Sequence, residues 1–298
     1  MKILVSDKLA AEGVKKMEAA GHEVVKAWDE PKEKLPELIK DCDALVIRSA
    51  TKATKALIDA APKLKVIGRA GIGLDNVDAE YAKSKGIKVV NTPTATTISV
   101  AELTFTFILA SCRDIVAGTN TTKAGKWEKK ALKGKEAYGK TLGIAGIGRI
   151  GQAVAERAVA FGMKIIAYDP YVKSDKYENV SLDDLVARSD FITLHLPLTP
   201  ETKHMISGKQ FDAMKPGVVI LNVARGGTID EAALYDAMKS GKVRAACLDV
   251  FEAEPPAGSK LLELPNLICT PHIGAQTDEG QLRAGVMVAE AVIEELRK

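Results

Sequence analysis

Short β-branched runs alternate with stretches of helical spacing from the first residue onward, as KILVS, HEVVKA, ALVIRS, KVIGRA and IKVVN. This alternation predicts a parallel sheet built from βα units, because a parallel strand needs a crossover long enough to hold a helix. After Asn91 the pattern changes. TPTATTISVAELTFTFILASCRDIVAG opens with Pro93 and a run of Thr and Ser before a long apolar helix, so a domain crossing is expected near residues 92–98. A second series follows as TLGIAGIG, KIIAYD, FITLHLP, GVVILNVA, AACLDVF and NLICTP, enough parallel strands for a second doubly wound sheet. The last stretch, TDEGQLRAGVMVAEAVIEELRK, has apolar residues at helical spacing and is expected to return to the first domain. The fold class is therefore α/β, two doubly wound parallel-sheet domains with a cleft between them. Their expected bounds are 1–95 completed by 276–298, and 96–275.

Composition narrows the function classes. With 46% hydrophobic and 27% charged residues, the 298-residue chain can fill two cores, which excludes a disordered protein. No apolar run is long enough to cross a bilayer, and MKILVSDKLAAEGVKKM lacks the apolar core of a secretory signal. Cys42, Cys112, Cys247 and Cys269 form no CxxC pair and read as reduced, buried residues of a cytoplasmic protein with no metal site. A net charge of +3, with no basic tail or repeat, argues against nucleic acid as a partner.

GIGRIG places Gly146, Gly148 and Gly151 directly after the strand TLGIA and before the helical stretch QAVAERAVAFG. That context is the dinucleotide fingerprint: a tight turn, a close backbone approach to pyrophosphate, and close helix packing, with the helix N-terminus facing the phosphates. Asp169 ends KIIAYD eighteen residues beyond Gly151, where a carboxylate reads the ribose hydroxyls and repels a 2′-phosphate. NAD is expected over NADP. Asp169 is alternatively a turn residue before Pro170.

Three polar groups follow later strands: Arg225 in LNVARGG, Glu254 in LDVFEAEPP and His272 in CTPHIG. Each alone has a bland reading as a surface arginine, a solvated acid or a satisfied histidine. Together they supply a cation for a carboxylate, a titratable imidazole and an acid to hold it. Hydride transfer from a secondary alcohol needs that set, since the hydroxyl proton must leave with the hydride. His22 and His204 lie away from any motif. His195 in LHLP is the rival base, or lines the cofactor site beside Pro197, and Leu196 between them is expected at the cofactor.

VIRSATKAT, KVIGRAGIGLDNVD, GKWEKK, GKTLGIAGIGRIGQ, Asp169-Pro170, NVARGG, LDVFEAEPP and TPHIGA occur in one order over nearly the whole chain. In these motifs the sequence resembles the D-isomer-specific 2-hydroxyacid dehydrogenases, and within them the branch acting on D-3-phosphoglycerate. The resemblance implies that 96–275 binds NAD and that 1–95 with 276–298 binds substrate. It makes His272 the acid/base, Glu254 the partner favouring its charged form, and Arg225 the holder of the substrate carboxylate. It puts Arg149 and Ile150 at the pyrophosphate, Val223 and Ala224 near the nicotinamide ribose, and Asp249 near the nicotinamide amide. Gly274 and Ala275 follow beside His272, and Ile72 touches the cofactor, at a position where the family often has Thr.

Substrate choice is then expected from the first domain, where Arg48, Arg69 and Gly71 follow strands and the two arginines meet a phosphate. Arg48 and Arg69 alternatively brace the loop GLDNVD through Asp75 or Asp78. Lys129 and Lys130, beside Trp127, are either a solvated charge run or, by resemblance, an arm reaching a second copy's active site in a homodimer built through the cofactor domain. The same motifs occur in glyoxylate and hydroxypyruvate reductases and in NAD-sensing corepressors. No flexible tail of the corepressor kind is evident, and with the last helix closing at Lys298 serine feedback through a C-terminal regulatory domain is not expected.

Overall fold

The computed structural model describes residues 1–298. The chain divides into two compact units, Met1–Thr97 with Ala275–Lys298, and Ile98–Gly274.

The first unit holds five parallel strands: β1 (Lys2–Val5), β2 (Glu23–Lys26), β3 (Ala44–Ile47), β4 (Val66–Arg69) and β5 (Lys88–Asn91). They lie side by side as β2-β1-β3-β4-β5. Every residue of β3 is buried, as expected of a central strand covered on both faces. Each buried Leu, Val or Ile there contributes about 1.5–3 kcal/mol. The helix Asp278–Arg297 packs on this sheet with Ala284, Val288, Ala289, Val292 and Ile293 in its core. It meets the helix Ala11–Ala19 where Gly13 faces Gly285, and a Cβ on Gly13 would collide with the Gly285 carbonyl.

The second unit holds seven parallel strands, one more than the pattern predicts. These are β6 (Thr141–Ala145), β7 (Lys164–Tyr168), β8 (Glu178–Asn179), β9 (Phe191–Leu194), β10 (Val218–Asn222), β11 (Val243–Leu248) and β12 (Leu267–Cys269). The added strand β8 is two exposed residues long, too short to leave an alternation. The order β12-β11-β10-β9-β6-β7-β8 reverses direction between β6 and β9. Two hydrophobic cores belong to this unit. Cys42, Cys112 and Cys247 are buried, whereas Cys269 is exposed, against expectation, because β12 is an edge strand. No helix is long and apolar enough to cross a membrane.

Candidate active site and cofactor cradle

The glycine-rich turn stands at the switch point of the seven-stranded sheet, where open α/β sheets bind ligands. Gly146 has φ +100°, and a Cβ there would lie 2.7 Å from the His195 carbonyl carbon and oxygen. A Cβ on Gly151 would collide with the Gly146 carbonyl, so only glycine lets the helix Arg149–Ala160 approach the turn. Gly148 differs, since a Cβ there would meet nothing within 4 Å. Gly148 is also the N-cap of that helix and gives no side-chain cap, so the first-turn N–H groups, starting at Arg149 and Ile150, remain for an external acceptor. Open space before an uncapped helix N-terminus fits the pyrophosphate of a dinucleotide.

Asp169 accepts hydrogen bonds from the N–H of Ile147 at 3.0 Å, of Tyr171 at 2.9 Å and of Val172 at 3.0 Å. Its turn role is therefore real, and it also ties the end of β7 to the glycine-rich turn. A carboxylate offers about four acceptor positions, so capacity for a ribose hydroxyl remains. Replacing Asp169 by Ala is expected to narrow the preference for NAD over NADP, since both the acceptor and the repelling charge go. Fluorescence titration of the two cofactors checks this, and an unchanged ratio of dissociation constants contradicts it.

His272 has φ 54°, a left-handed conformation that is uncommon outside glycine and clusters at functional sites. Asp249, buried at the end of β11, holds it there. The Asp249 carboxylate accepts the Thr270 hydroxyl, the Ile273 N–H at 2.8 Å and the Gly274 N–H at 2.8 Å, while its carbonyl accepts the His272 N–H at 2.9 Å. In the structure, then, the Asp249 carboxylate serves the histidine loop. Space beside it is tight, since a Cβ on Gly274 would lie 3.0 Å from the Asp249 Oδ2.

His272 Nδ1 lies 2.8 Å from Glu254 Oε2, and the other Glu254 oxygen accepts the Phe251 N–H at 3.3 Å. An imidazole held at Nδ1 exchanges protons with another molecule through Nε2. The side chains of the pair are 50% and 39% exposed, open enough for a small substrate to reach. Pro255, Pro256, Leu262 and Cys269 form the apolar wall of a cavity of about 390 Å³ beside them.

Arg225 sits in the turn after β10. Asn222, buried at the strand end, shapes this turn by giving its Nδ2–H to the Arg225 carbonyl at 2.8 Å and the Thr228 hydroxyl at 3.0 Å. The Arg225 Nη1 donates to the Ala224 carbonyl at 2.7 Å. A Cβ on Gly226 would collide with the Phe251 carbonyl, so the arginine turn presses against the segment leading to Glu254. Three strand ends thus converge.

His195 is the poorer candidate base, because desolvation pushes its pKa down to about 3, so the ring accepts a proton only weakly. Its Nε2 lies 3.0 Å from the Thr193 hydroxyl. His204, in the turn that leads to the helix Gly208–Ala213, has a left-handed backbone and lies 3.0 Å from Glu252. The side chains of Leu196 and Val223 are packed in the cores, which leaves their backbones to face a cofactor.

In the first unit Arg48 donates to the Lys8 carbonyl at 3.2 Å and to Gln276 Oε1 at 3.3 Å. The Arg69 guanidinium lies over Gly71, where a Cβ would collide with it and where φ is +153°. The Ile72 carbonyl accepts from Asn91 at 2.6 Å, and the Ala275 carbonyl from Gln281 at 2.7 Å. Lys129, Lys130 and Trp127 are exposed. Sequence reasoning missed Asn222 and Thr270. Their signal is a polar residue closing or directly following a buried strand, in VVILN and LICT.

Residues 105–274 match the model of the D-isomer specific 2-hydroxyacid dehydrogenase NAD binding domain. The D-3-phosphoglycerate dehydrogenase of Methanocaldococcus jannaschii is 54% identical over 303 residues, covering 100% of this chain and 58% of that protein. The chain therefore spans somewhat more than half the length of that relative. The hydroxypyruvate reductase of Thermotoga maritima is 56% identical over 270 residues, covering 89% of this chain and 88% of the relative. Among solved structures, D-lactate dehydrogenase from Aquifex aeolicus, complexed with NAD and lactic acid, superposes with a TM-score of 0.85 at 31% identity, covering 100% of this chain and 96% of that one. The glycine cradle and the family match agree on where NAD is held, and the chain belongs to the D-isomer specific 2-hydroxyacid dehydrogenase family.

Proposed function

We propose that the chain oxidises D-3-phosphoglycerate to 3-phosphohydroxypyruvate with NAD, a step of serine biosynthesis. The observation that carries the reaction class is the His272–Glu254 pair, 2.8 Å apart at the strand ends of an NAD-binding domain. Bound NAD supplies the hydride acceptor. His272 Nε2 takes the hydroxyl proton as the C2 hydrogen leaves with its electron pair, so a ketone remains. Glu254 fixes the ring through Nδ1, and Arg225 holds the substrate carboxylate.

The phosphate rests on two supports. One is the name of the Methanocaldococcus jannaschii relative, and the other is Arg48 and Arg69 at the carboxyl ends of β3 and β4. The exposed Trp127, Lys129 and Lys130 support an arm that reaches the active site of a second copy, hence a homodimer through the cofactor domain. The Thermotoga maritima relative favours a second reading, reduction of hydroxypyruvate or glyoxylate.

Initial rates on a small panel separate the two. D-3-phosphoglycerate is expected to exceed D-glycerate in kcat/KM by about two orders of magnitude, the worth of one or two charged hydrogen bonds. Equal use of the two acids, or fastest turnover of glyoxylate or hydroxypyruvate, replaces the first reading by the second.

A further inference from the structure

The sheet of the first unit also has a switch point, between β1 and β3. Asp7 follows β1 there, and the turn Arg48–Thr51 follows β3. Asp7 is buried, and its carboxylate accepts four hydrogen bonds. They come from the Arg48 N–H at 2.7 Å, the Thr51 N–H at 3.0 Å, the Thr51 hydroxyl at 2.7 Å and the Lys32 ammonium at 2.7 Å. Lys32 also donates to the Thr51 hydroxyl at 2.8 Å and the Ser6 carbonyl at 2.7 Å. From the other side, Asn76 holds the Arg48 carbonyl at 2.7 Å and the Thr51 carbonyl at 2.6 Å. Both ends of the turn are clamped while Ser49 and Ala50 between them are exposed. Burial pushes the Asp7 carboxyl up, and the bonds from Lys32 and Thr51 more than offset this, so its pKa lies below the ordinary value.

A turn with rigid ends and an exposed middle at a switch point is shaped to present groups to a ligand. We infer that Asp7, Lys32 and Thr51 are positioning residues for the anionic end of the substrate, fixing the Arg48 turn so that its guanidinium meets the phosphate in one geometry. The inference rests on the reading of Arg48 as a phosphate contact. Asp7 and Thr51 touch no substrate in this account. They act through Arg48, so their loss misplaces that contact and leaves the proton and hydride chemistry untouched.

The test measures kcat and KM for D-3-phosphoglycerate and D-glycerate, with melting temperature alongside. The variants are Arg48→Met, Asp7→Asn, Thr51→Val, Thr51→Ser, and Asp7→Asn combined with Arg48→Met. Asp7→Asn and Thr51→Val are expected to raise KM for the phosphorylated acid about ten- to a hundred-fold, with kcat and all constants for D-glycerate held within about twofold. Thr51→Ser, which keeps the hydroxyl, should restore the parental KM, and Asp7→Asn should add little on top of Arg48→Met. If Arg48→Met leaves the preference for the phosphorylated acid unchanged, the phosphate reading fails and the inference with it. If Arg48→Met collapses that preference while Asp7→Asn and Thr51→Val lower only the melting temperature, the phosphate reading stands and the inference is overturned. Should Asp7→Asn not fold, the contrast between Thr51→Val and Thr51→Ser decides.

Discussion

Replacing His272 by Gln is expected to lower kcat by about two orders of magnitude or more while NAD binds with near-parental affinity. Glutamine keeps a polar group of similar reach but offers no basic nitrogen, so the hydroxyl proton has no acceptor as the hydride leaves. The cofactor cradle is built elsewhere, from Gly146, Gly148, Gly151 and the helix Arg149–Ala160, and should not feel the change. Because Asp249 holds the loop through Thr270, Ile273 and Gly274, the backbone at position 272 should persist as well. Stopped-flow turnover with a parallel NAD titration checks both halves. Parental turnover in the variant would falsify the assignment of His272 as proton acceptor.

Replacing Arg225 by Lys is expected to cost about two to three orders of magnitude in kcat/KM, although the charge is kept. A guanidinium can grip a carboxylate with two parallel N–H groups and so fixes its plane, whereas an ammonium is a point charge that leaves C2 free to turn away from His272. Much of the loss should fall on kcat, because orientation is worth more in the transition state than in the ground state. The rate on the carboxylate-free analogue of the same alcohol separates this from general damage. That analogue should react equally poorly with both enzymes, and a further drop in the variant would show that Arg225 does something other than hold the carboxylate.

The alternation of β-branched runs made both parallel sheets legible, because central strands such as β3 and β10 are buried along their whole length and tolerate only apolar residues. Edge elements left weaker traces. The two exposed residues of β8 could not form a pattern, and the position of β12 at the sheet edge exposes Cys269 in an otherwise apolar run. At the site, the candidate reacting groups stood out because the proposed chemistry restricts residue type: an imidazole, an acid and a guanidinium, each after a strand. The holding roles of the groups around them did not, even where the residue itself, as with Asp249, was singled out. Asp249, Asn222 and Asp7 work through buried bonds to backbone N–H and C=O groups or to neighbouring side chains, and such partners follow from loop geometry that no spacing rule encodes. Val223 and Leu196 are positions carried by motif whose side chains fill the cores, which leaves their backbones to face a cofactor.

C2 of a D-2-hydroxy acid is expected to give its hydrogen to NAD as hydride while His272 takes the hydroxyl proton. Incubating the protein with NAD and D-3-phosphoglycerate deuterated at C2, then weighing the reduced cofactor by mass spectrometry, tests it most directly. One deuterium per reduced cofactor and stoichiometric 3-phosphohydroxypyruvate are expected. Reduced cofactor without the label, or no reduction of NAD by this acid or any other D-2-hydroxy acid, would contradict it.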